Sequence, residues 1–187
     1  MVETVKMNIL HINCNYMDSQ LHQNMIETLN KRKINNTVFV PLKKMEGHIV
    51  KPKDYVVPKV CFKNIDRFFY HIKQKKILKC VEDTFDIDSF SCFHAYTVFT
   101  DGNVARTLWK KTGIPYVVAV RNTDVNLFFK RLFYLRKTGI NVLKDAKAIF
   151  FLSETYQKEV LDNYVPEKFK KQISEKSYIV PNGIDDF

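Results

Sequence analysis

The chain alternates short runs of β-branched and aromatic residues with longer stretches in which apolar residues recur at helical spacing. This alternation is typical of a parallel sheet whose strands are joined by helices. It predicts an α/β fold: a Rossmann-like, doubly wound, mainly parallel sheet with helices on both faces. The predicted strands are residues 5–12, 37–40, 89–94, 116–120 and 148–152, and a further short strand precedes Pro181.

Two segments between these strands carry predictions of their own. Residues 41–58 contain three prolines and have mixed polarity, so irregular structure or a hairpin is expected there. Residues 64–82 predict one long helix. Its apolar stripe is assigned to the core and consists of Ile65, Phe68, Phe69 and Ile72.

The composition bounds the class of protein. With 187 residues, of which 45% are apolar, the chain suits one domain with a substantial core. No apolar run approaches the roughly 20 residues that span a bilayer, and residues 1–6 lack the apolar region of a leader. The four cysteines form no C-x-x-C pair and are expected to be free thiols. A cytoplasmic protein is predicted, with peripheral contact to the inner face of the membrane left open.

The net charge of +10 favours an anionic partner, which can be nucleic acid, acidic lipid or a phosphorylated small molecule. The lysines are dispersed among twenty acidic residues and no nucleic-acid recognition motif is present, so no nucleic-acid partner is expected. Residues 126–137 combine six apolar side chains with four cations. This segment either contacts acidic lipid or packs on the sheet with a solvated basic edge.

Several common classes of site are excluded by missing motifs. The loop after the first strand lacks the Gly-x-Gly-x-x-Gly fingerprint, so a nicotinamide cofactor is not expected. The phosphate-loop, zincin and nucleophile-elbow motifs are absent as well. The histidines stand singly, at positions 11, 22, 48, 71 and 94. Neither a cofactor nor a metal is therefore predicted.

Polar residues follow three of the predicted strands, where ligands bind in doubly wound sheets. The loops are residues 13–16, 94–97 and 121–124, and they are expected to form one cleft. Their amide, hydroxyl, imidazole and guanidinium groups suit a polyol with a phosphate nearby. Two alternatives remain open: His94 can pack beneath its loop, and Thr123 or Asp124 can cap helix amides.

Several motifs resemble, in order and spacing, the amino-terminal domain of family 4 glycosyltransferases, which are two-domain enzymes of the GT-B type. They include a histidine loop at His94, a Gly-Asn-x-Ala-Arg helix start at residues 102–106 and Gly-x-Pro at residues 113–115. Ala-Lys-Ala-Ile-Phe-Phe-Leu-Ser at 146–153 and Pro-Asn-Gly-Ile-Asp at 181–185 complete the set.

This resemblance implies a function. Enzymes of the family transfer a hexose from a nucleotide-sugar donor to a saccharide or lipid-linked acceptor, retain the anomeric configuration and require no metal. It also implies that residues 1–180 form the acceptor-binding domain and that residues 181–187 begin the linker to an absent second domain, which holds most of the donor site. Such a fragment is expected to be inactive alone, and the complete enzyme is expected to serve polysaccharide biosynthesis.

A family comparison also suggests roles within the predicted cleft. Arg121 stands where many members have a histidine, and it is expected to meet an anionic group. Asp124 is expected to orient Arg121 or the acceptor, so these two are the catalytic candidates. The expected acceptor contacts are Asn13, Asn15, Tyr16, His94, Tyr96, Asn122 and Thr123. A different class, a non-catalytic basic module that binds acidic membrane or nucleic acid, remains the alternative.

Overall fold

The structure, a computed structural model, describes residues 7–43 and 53–182. Within these ranges, seven parallel strands form one sheet in the order β3-β2-β1-β4-β5-β6-β7. The strands are β1 Asn8–Ile12, β2 Asn35–Lys43, β3 Val56–Phe62, β4 Cys92–Ala95, β5 Tyr116–Val120, β6 Ala148–Phe151 and β7 Ser177–Ile179. The doubly wound parallel sheet predicted from the sequence is confirmed, although residues 5 and 6 lie outside the described residues.

In the described part of the chain, six α-helices connect or flank these strands. They are α1 Gln20–Lys31, α2 Tyr70–Glu82, α3 Asn103–Thr112, α4 Arg136–Asp145, α5 Glu154–Asn163 and α6 Glu167–Ser174. Short 3₁₀ turns lie at Asn64–Phe68, Ile87–Ser89 and Phe133–Leu135, and π-helical turns lie at Val98–Gly102 and Asp124–Phe129. The side chain of Ser19 caps α1, and Gly113, at φ 77°, ends α3.

The two faces of the sheet differ in how they are covered. Side chains alternate between faces along each strand. One face is fully buried and packs into the main core, and its residues include Leu10, Phe39, Phe93, Val118, Ile149 and Phe151. On the opposite face of β4–β7, which we call the open face, Val117 and Phe150 are half-buried and Tyr178 is exposed. The described helix that borders this face is α1.

The prediction of irregular structure over residues 41–58 is wrong at both ends. Strand β2 continues to Lys43 and β3 begins at Val56, while residues 44–52 lie outside the described part of the chain. Pro41 is tolerated because it lies beyond Phe39, the last residue of β2 that pairs with β1, so β1 needs no N–H group from it. Pro58 is tolerated because β3 is an edge strand, where a missing N–H group costs little.

The predicted helix over residues 64–82 is also corrected. A 3₁₀ turn precedes α2, because the buried carboxylate of Asp66 accepts a hydrogen bond from the backbone N–H of Lys63 (2.7 Å) and pairs with Lys76. Gln74, Ile77 and Val81 form the buried face of α2. The stripe that the sequence assigned to the core is instead exposed: Ile65 58%, Phe68 81%, Phe69 53% and Ile72 47%.

Gly139 lets α4 approach two buried aromatic rings. A Cβ atom at this position would lie 2.5 Å from Cζ of Phe99 and 2.9 Å from Cζ of Phe129. We expect Gly139→Ala to lower the free energy of unfolding by about 1–3 kcal/mol through overpacking. Urea denaturation measures this, with Lys137→Ala on the exposed side of α4 as the control. A stabilised Gly139→Ala protein, as helix propensity alone would give, would contradict the packing.

Candidate functional site

A pocket of about 440 Å³ lies between α1 and the strands β1, β4, β5 and β6. Its walls are mostly apolar, from Met25 and Leu29 on one side to Val117, Ala119 and Phe150 on the open face. Its polar groups lie toward the carboxyl ends of the strands, where a doubly wound sheet binds ligands. These polar lining residues are His11, His22, His94, Arg121 and Asn182.

Strand alternation brings two of the histidines together. His11 on β1 is in register with His94 on β4, so both side chains lie on the same face, with ring centroids 5.2 Å apart. Tyr96 stacks on His94 at 4.4 Å, and the ring of His22 from α1 packs against Tyr96 at 4.7 Å. Residues that are far apart in the sequence therefore form one aromatic and imidazole cluster.

The hydrogen bonds assign the tautomer of His11. The side-chain amide nitrogen of Asn36 donates to Asn30 and to the carbonyl of Ile34, so its oxygen is free to accept. Nε2 of His11 therefore donates to that oxygen (2.8 Å), and Nδ1 accepts from the hydroxyl of Tyr96 (3.1 Å). This arrangement is that of a neutral imidazole, in agreement with the lowered pKa of His11.

Burial keeps all three histidines uncharged at neutral pH. It lowers the pKa of His11 to about 4, and burial together with the charge of Arg121 lowers the pKa of His22 to about 4. The pKa of His94 lies well below its ordinary value, also because of burial. A neutral imidazole has one donor and one acceptor, which suits the hydroxyl groups of a sugar.

Arg121 directly follows β5 and, among the described residues that line this pocket, is the one that is charged at neutral pH. Its Nη1 donates to the side-chain oxygen of Asn182 (2.9 Å), and its Nη2 donates to Nε2 of His22 (3.3 Å). Its Nε donates to the carbonyl of Tyr96 (3.4 Å). No carboxylate among the described residues forms an ion pair with it. Such a half-buried guanidinium can bind an anion.

Asp124 lies beneath the pocket rather than in its lining. Its side chain is 1% exposed and accepts hydrogen bonds from the backbone N–H groups of Arg121 (2.9 Å), Val98 (3.1 Å) and Phe99 (3.3 Å). Burial raises its pKa to about 6. The sequence left open a role as a cap for backbone amides, and these contacts correspond to that role. Asp124 fixes the loop after β5 to the loop after β4.

The loop after β1 contacts the residues of the pocket wall without lining the pocket itself. Asn13 is fully buried, and its amide nitrogen lies 3.2 Å from Nδ1 of His22. Tyr16 is 4% exposed and packs in a small core with Ile26 and Val38, so it does not face the pocket. Asn15 is exposed on the same loop.

The remaining predicted contacts fall into two groups. Tyr96 is 1% exposed and supports the histidine rings through the contacts described above. Asn122 and Thr123 are exposed on the loop after β5 and do not line the pocket. Of the residues assigned from the sequence, the structure therefore places His94 and Arg121 in the pocket wall, with Asn13 and Tyr96 directly behind it.

Three of the five polar lining residues, His11, His22 and Asn182, were not assigned to the site from the sequence. Strand alternation was the signal for His11, because it lies two residues before Asn13 on a predicted strand. Asp101, which links the loops after β1 and β4, was not identified from the sequence either. It is fully buried, accepts hydrogen bonds from the N–H of Cys14 (3.3 Å) and the hydroxyl of Thr97 (3.1 Å), and has its pKa raised by burial to about 7.

Within the described ranges, no group of three or more His, Cys, Asp or Glu side chains is arranged to hold a metal ion. The three pocket histidines are already used in part by protein partners, since His11 bonds at both ring nitrogens and His22 contacts Arg121 and Asn13. The cluster is therefore organised for hydrogen bonding.

The fold is similar to that of the crystal structure of HepE from Anabaena in complex with UDP and glucose, with a TM-score of 0.61 and 11% sequence identity. The chain therefore shares the fold of HepE over nearly its whole length. The match covers 96% of this chain and 45% of HepE, so the chain spans less than half the length of the matched structure. No protein-family model and no curated protein matches the chain.

Proposed function

We propose that the chain is the acceptor-binding half of a retaining glycosyltransferase of the GT-B type. The complete enzyme would transfer a hexose from a nucleotide sugar to a saccharide or lipid-linked acceptor, in the cytoplasm and in polysaccharide biosynthesis. The observation that carries the proposal is the likeness to HepE, a protein solved with UDP and glucose, which extends over 96% of this chain. Because the match covers only 45% of HepE, the proposal includes a second domain beyond Pro181.

The chemistry of the pocket supports the acceptor assignment. The neutral imidazole of His94 offers one donor and one acceptor to hydroxyl groups without competing charge. Its apolar floor on the open face suits the carbon skeleton of a sugar ring or of a lipid. We assign His94 to the acceptor hydroxyls, His11 to holding Tyr96, and Asn13 to holding His22 in place.

Arg121 would supply the electrostatic part of the reaction. Transfer breaks the bond between the anomeric carbon and a diphosphate oxygen and forms a bond from that carbon to an acceptor oxygen, and the proton of the acceptor hydroxyl passes to the departing diphosphate. Negative charge grows on the departing diphosphate, so a fixed cation stabilises the transition state. Arg121 has its position fixed by Asn182 and Tyr96 and its backbone fixed by Asp124. No metal is included in this proposal.

The 187-residue chain by itself is expected to bind nucleotide sugars only weakly and to transfer no sugar. The reason is that the groups holding the donor would lie in the second domain. Isothermal titration calorimetry against UDP-, GDP- and ADP-sugars measures the affinity, and we expect dissociation constants above about 1 mM, equivalent to less than about 4 kcal/mol of binding.

A protein extended through the gene beyond residue 187 provides the decisive comparison. We expect a further β-α domain and release of nucleoside diphosphate in the presence of donor and a saccharide acceptor. Tight donor binding by the 187-residue chain would contradict the proposal, because it would show that the donor site lies in this chain and not in the second domain. A stop codon directly after Phe187 would remove the two-domain proposal.

A further inference from the structure

Exposed apolar side chains are concentrated in two segments of the chain. The described residues include eleven large hydrophobic side chains that are exposed, and seven of these belong to the two segments. The first segment, the turn before α2 and its first residues, carries Ile65, Phe68, Phe69 and Ile72. The second, residues 127–134, carries Leu127 at 40%, Phe133 at 73% and Tyr134 at 63% exposed.

Phe99 joins the two segments in space. The hydroxyl of Tyr70 in the first segment donates to the carbonyl of Phe99 (2.8 Å). The ring of Phe128 in the second segment stacks on the ring of Phe99 at 4.6 Å. Both segments therefore pack against the same residue, Phe99, and we call their exposed side chains together the aromatic-basic surface.

Positive charge is concentrated in the same two segments. Residues 63–79 contain six lysines and arginines and one acid, and residues 125–137 contain four and no acid. These two segments thus carry +9 of the net charge of +10. The single acid, Asp66, is buried and paired with Lys76. Exposed cations alternate with the apolar residues, and they include Lys63, Arg67, Lys75, Lys130, Arg131 and Lys137.

We infer that the aromatic-basic surface docks the protein on a bilayer that contains acidic lipid. Exposed aromatic and aliphatic side chains enter the boundary between headgroups and acyl chains, and neighbouring cations meet the anionic headgroups. A surface that is only basic would suit any polyanion, and one that is only apolar would suit a protein partner. The interleaving of both is what a membrane surface binds. None of the described helices is long and apolar enough to cross a bilayer, so the contact is peripheral.

Two of the aromatics that the sequence made candidates for membrane contact are unsuitable. Phe129 is fully buried against Phe99 and Tyr164, and Phe128 is half-buried in its stack. Replacing either would disturb the core. Phe133 and Tyr134 are the appropriate pair, because both are exposed and contact each other at a ring-centroid distance of 6.3 Å.

The experiment is co-sedimentation of the 187-residue chain with vesicles of phosphatidylcholine, with or without 30% phosphatidylglycerol by design. Binding is expected only with phosphatidylglycerol. Phe133→Ser/Tyr134→Ser should weaken it by at least about tenfold by removing the inserted rings. Lys130→Glu/Arg131→Glu should weaken it by at least about 25-fold, since each cation near an anionic surface contributes about fivefold.

Matched variants outside the two segments serve as controls. Tyr178→Ser removes an exposed aromatic from β7, and Lys158→Glu/Lys171→Glu makes the same charge change on α5 and α6. Both should bind like the unaltered chain, and thermal unfolding confirms that every variant is folded. Equal losses in test and control variants would overturn the proposal, and so would binding to a 20-nucleotide RNA but not to vesicles. Vesicle binding requires no nucleotide sugar, so this outcome is independent of the proposed transferase activity.

Discussion

Asp124→Ala is expected to lower the free energy of unfolding by about 3–5 kcal/mol, because three buried backbone N–H groups lose their acceptor. Those groups belong to Arg121, Val98 and Phe99, so the change separates the loop after β5 from the loop after β4. Urea denaturation measures the loss. Asn122→Ala, on the exposed part of the same loop, should change stability by less than about 0.5 kcal/mol.

The pH dependence of this loss has a defined sign. Burial raises the pKa of Asp124 to about 6, above its ordinary value of 3.8, so the folded state holds this proton more tightly than the unfolded state. Its stabilising contribution is therefore complete below pH 4 and declines as the pH rises through 6. The difference between the unaltered chain and Asp124→Ala should shrink by about 1 kcal/mol from pH 5 to pH 8. A difference that grows over this range would contradict the burial of the carboxylate.

Arg121→Ala in the complete enzyme is expected to lower kcat by about 10²–10³-fold, which is the usual effect of removing one group that stabilises transition-state charge. The affinity for the acceptor should change less, because the histidines remain. Steady-state release of nucleoside diphosphate separates the two effects. The fold should persist, since among the described residues the Arg121 side chain bonds to the side chains of His22 and Asn182 and to one carbonyl.

Arg121→Lys tests whether charge alone is sufficient. Lysine keeps the cation but cannot bridge Asn182 and His22 with two separate nitrogens, so partial recovery of kcat is expected. Asn122→Ala controls for disturbance of the loop. Unchanged turnover in a folded Arg121→Ala enzyme would remove the proposed role of Arg121, even though the pocket itself would remain.

Strand positions were predictable because the apolar runs are short and regularly spaced. Residues 116–120 were predicted as observed, since both faces of β5 are apolar, and residues 37–40 proved to be the centre of the longer strand β2. The prediction was wrong at Pro41 and Pro58, because prolines usually indicate the end of a strand. Only the order of the strands shows that each proline avoids the N–H positions that the sheet needs.

The prediction that Phe68 and Phe69 are buried was wrong for a different reason. Helical periodicity identifies a shared face but not which side of the helix meets the core. The 3₁₀ turn around Asp66 shifts the start of α2 to Tyr70, and Gln74, an amide, takes a buried position by bonding to Thr100 and Asn103. Hydrophobicity alone could not place a glutamine inside and two phenylalanines outside.

The candidate site was predictable only in part. Parallel strands carry their ends to one edge, so the loops at His94 and Arg121 could be expected to meet. His22 lies on a helix, and Asn182 follows the last strand. Their positions in the pocket wall therefore depend on tertiary packing, which no local sequence pattern predicts. Asp124 shows that a carboxylate in a functional loop can serve the backbone instead of a ligand.

The alternating coverage of the sheet divides the residues of β4, β5 and β6 into two sets with different tolerance to change. On the covered face, Phe93, Val118 and Ile149 are fully enclosed, so altering any of them acts first on stability. One residue along, His94, Val117 and Phe150 line the pocket on the open face. Ligand preference in this scaffold can therefore be retuned strand by strand with little effect on folding, which makes the open face the natural target for a combinatorial library.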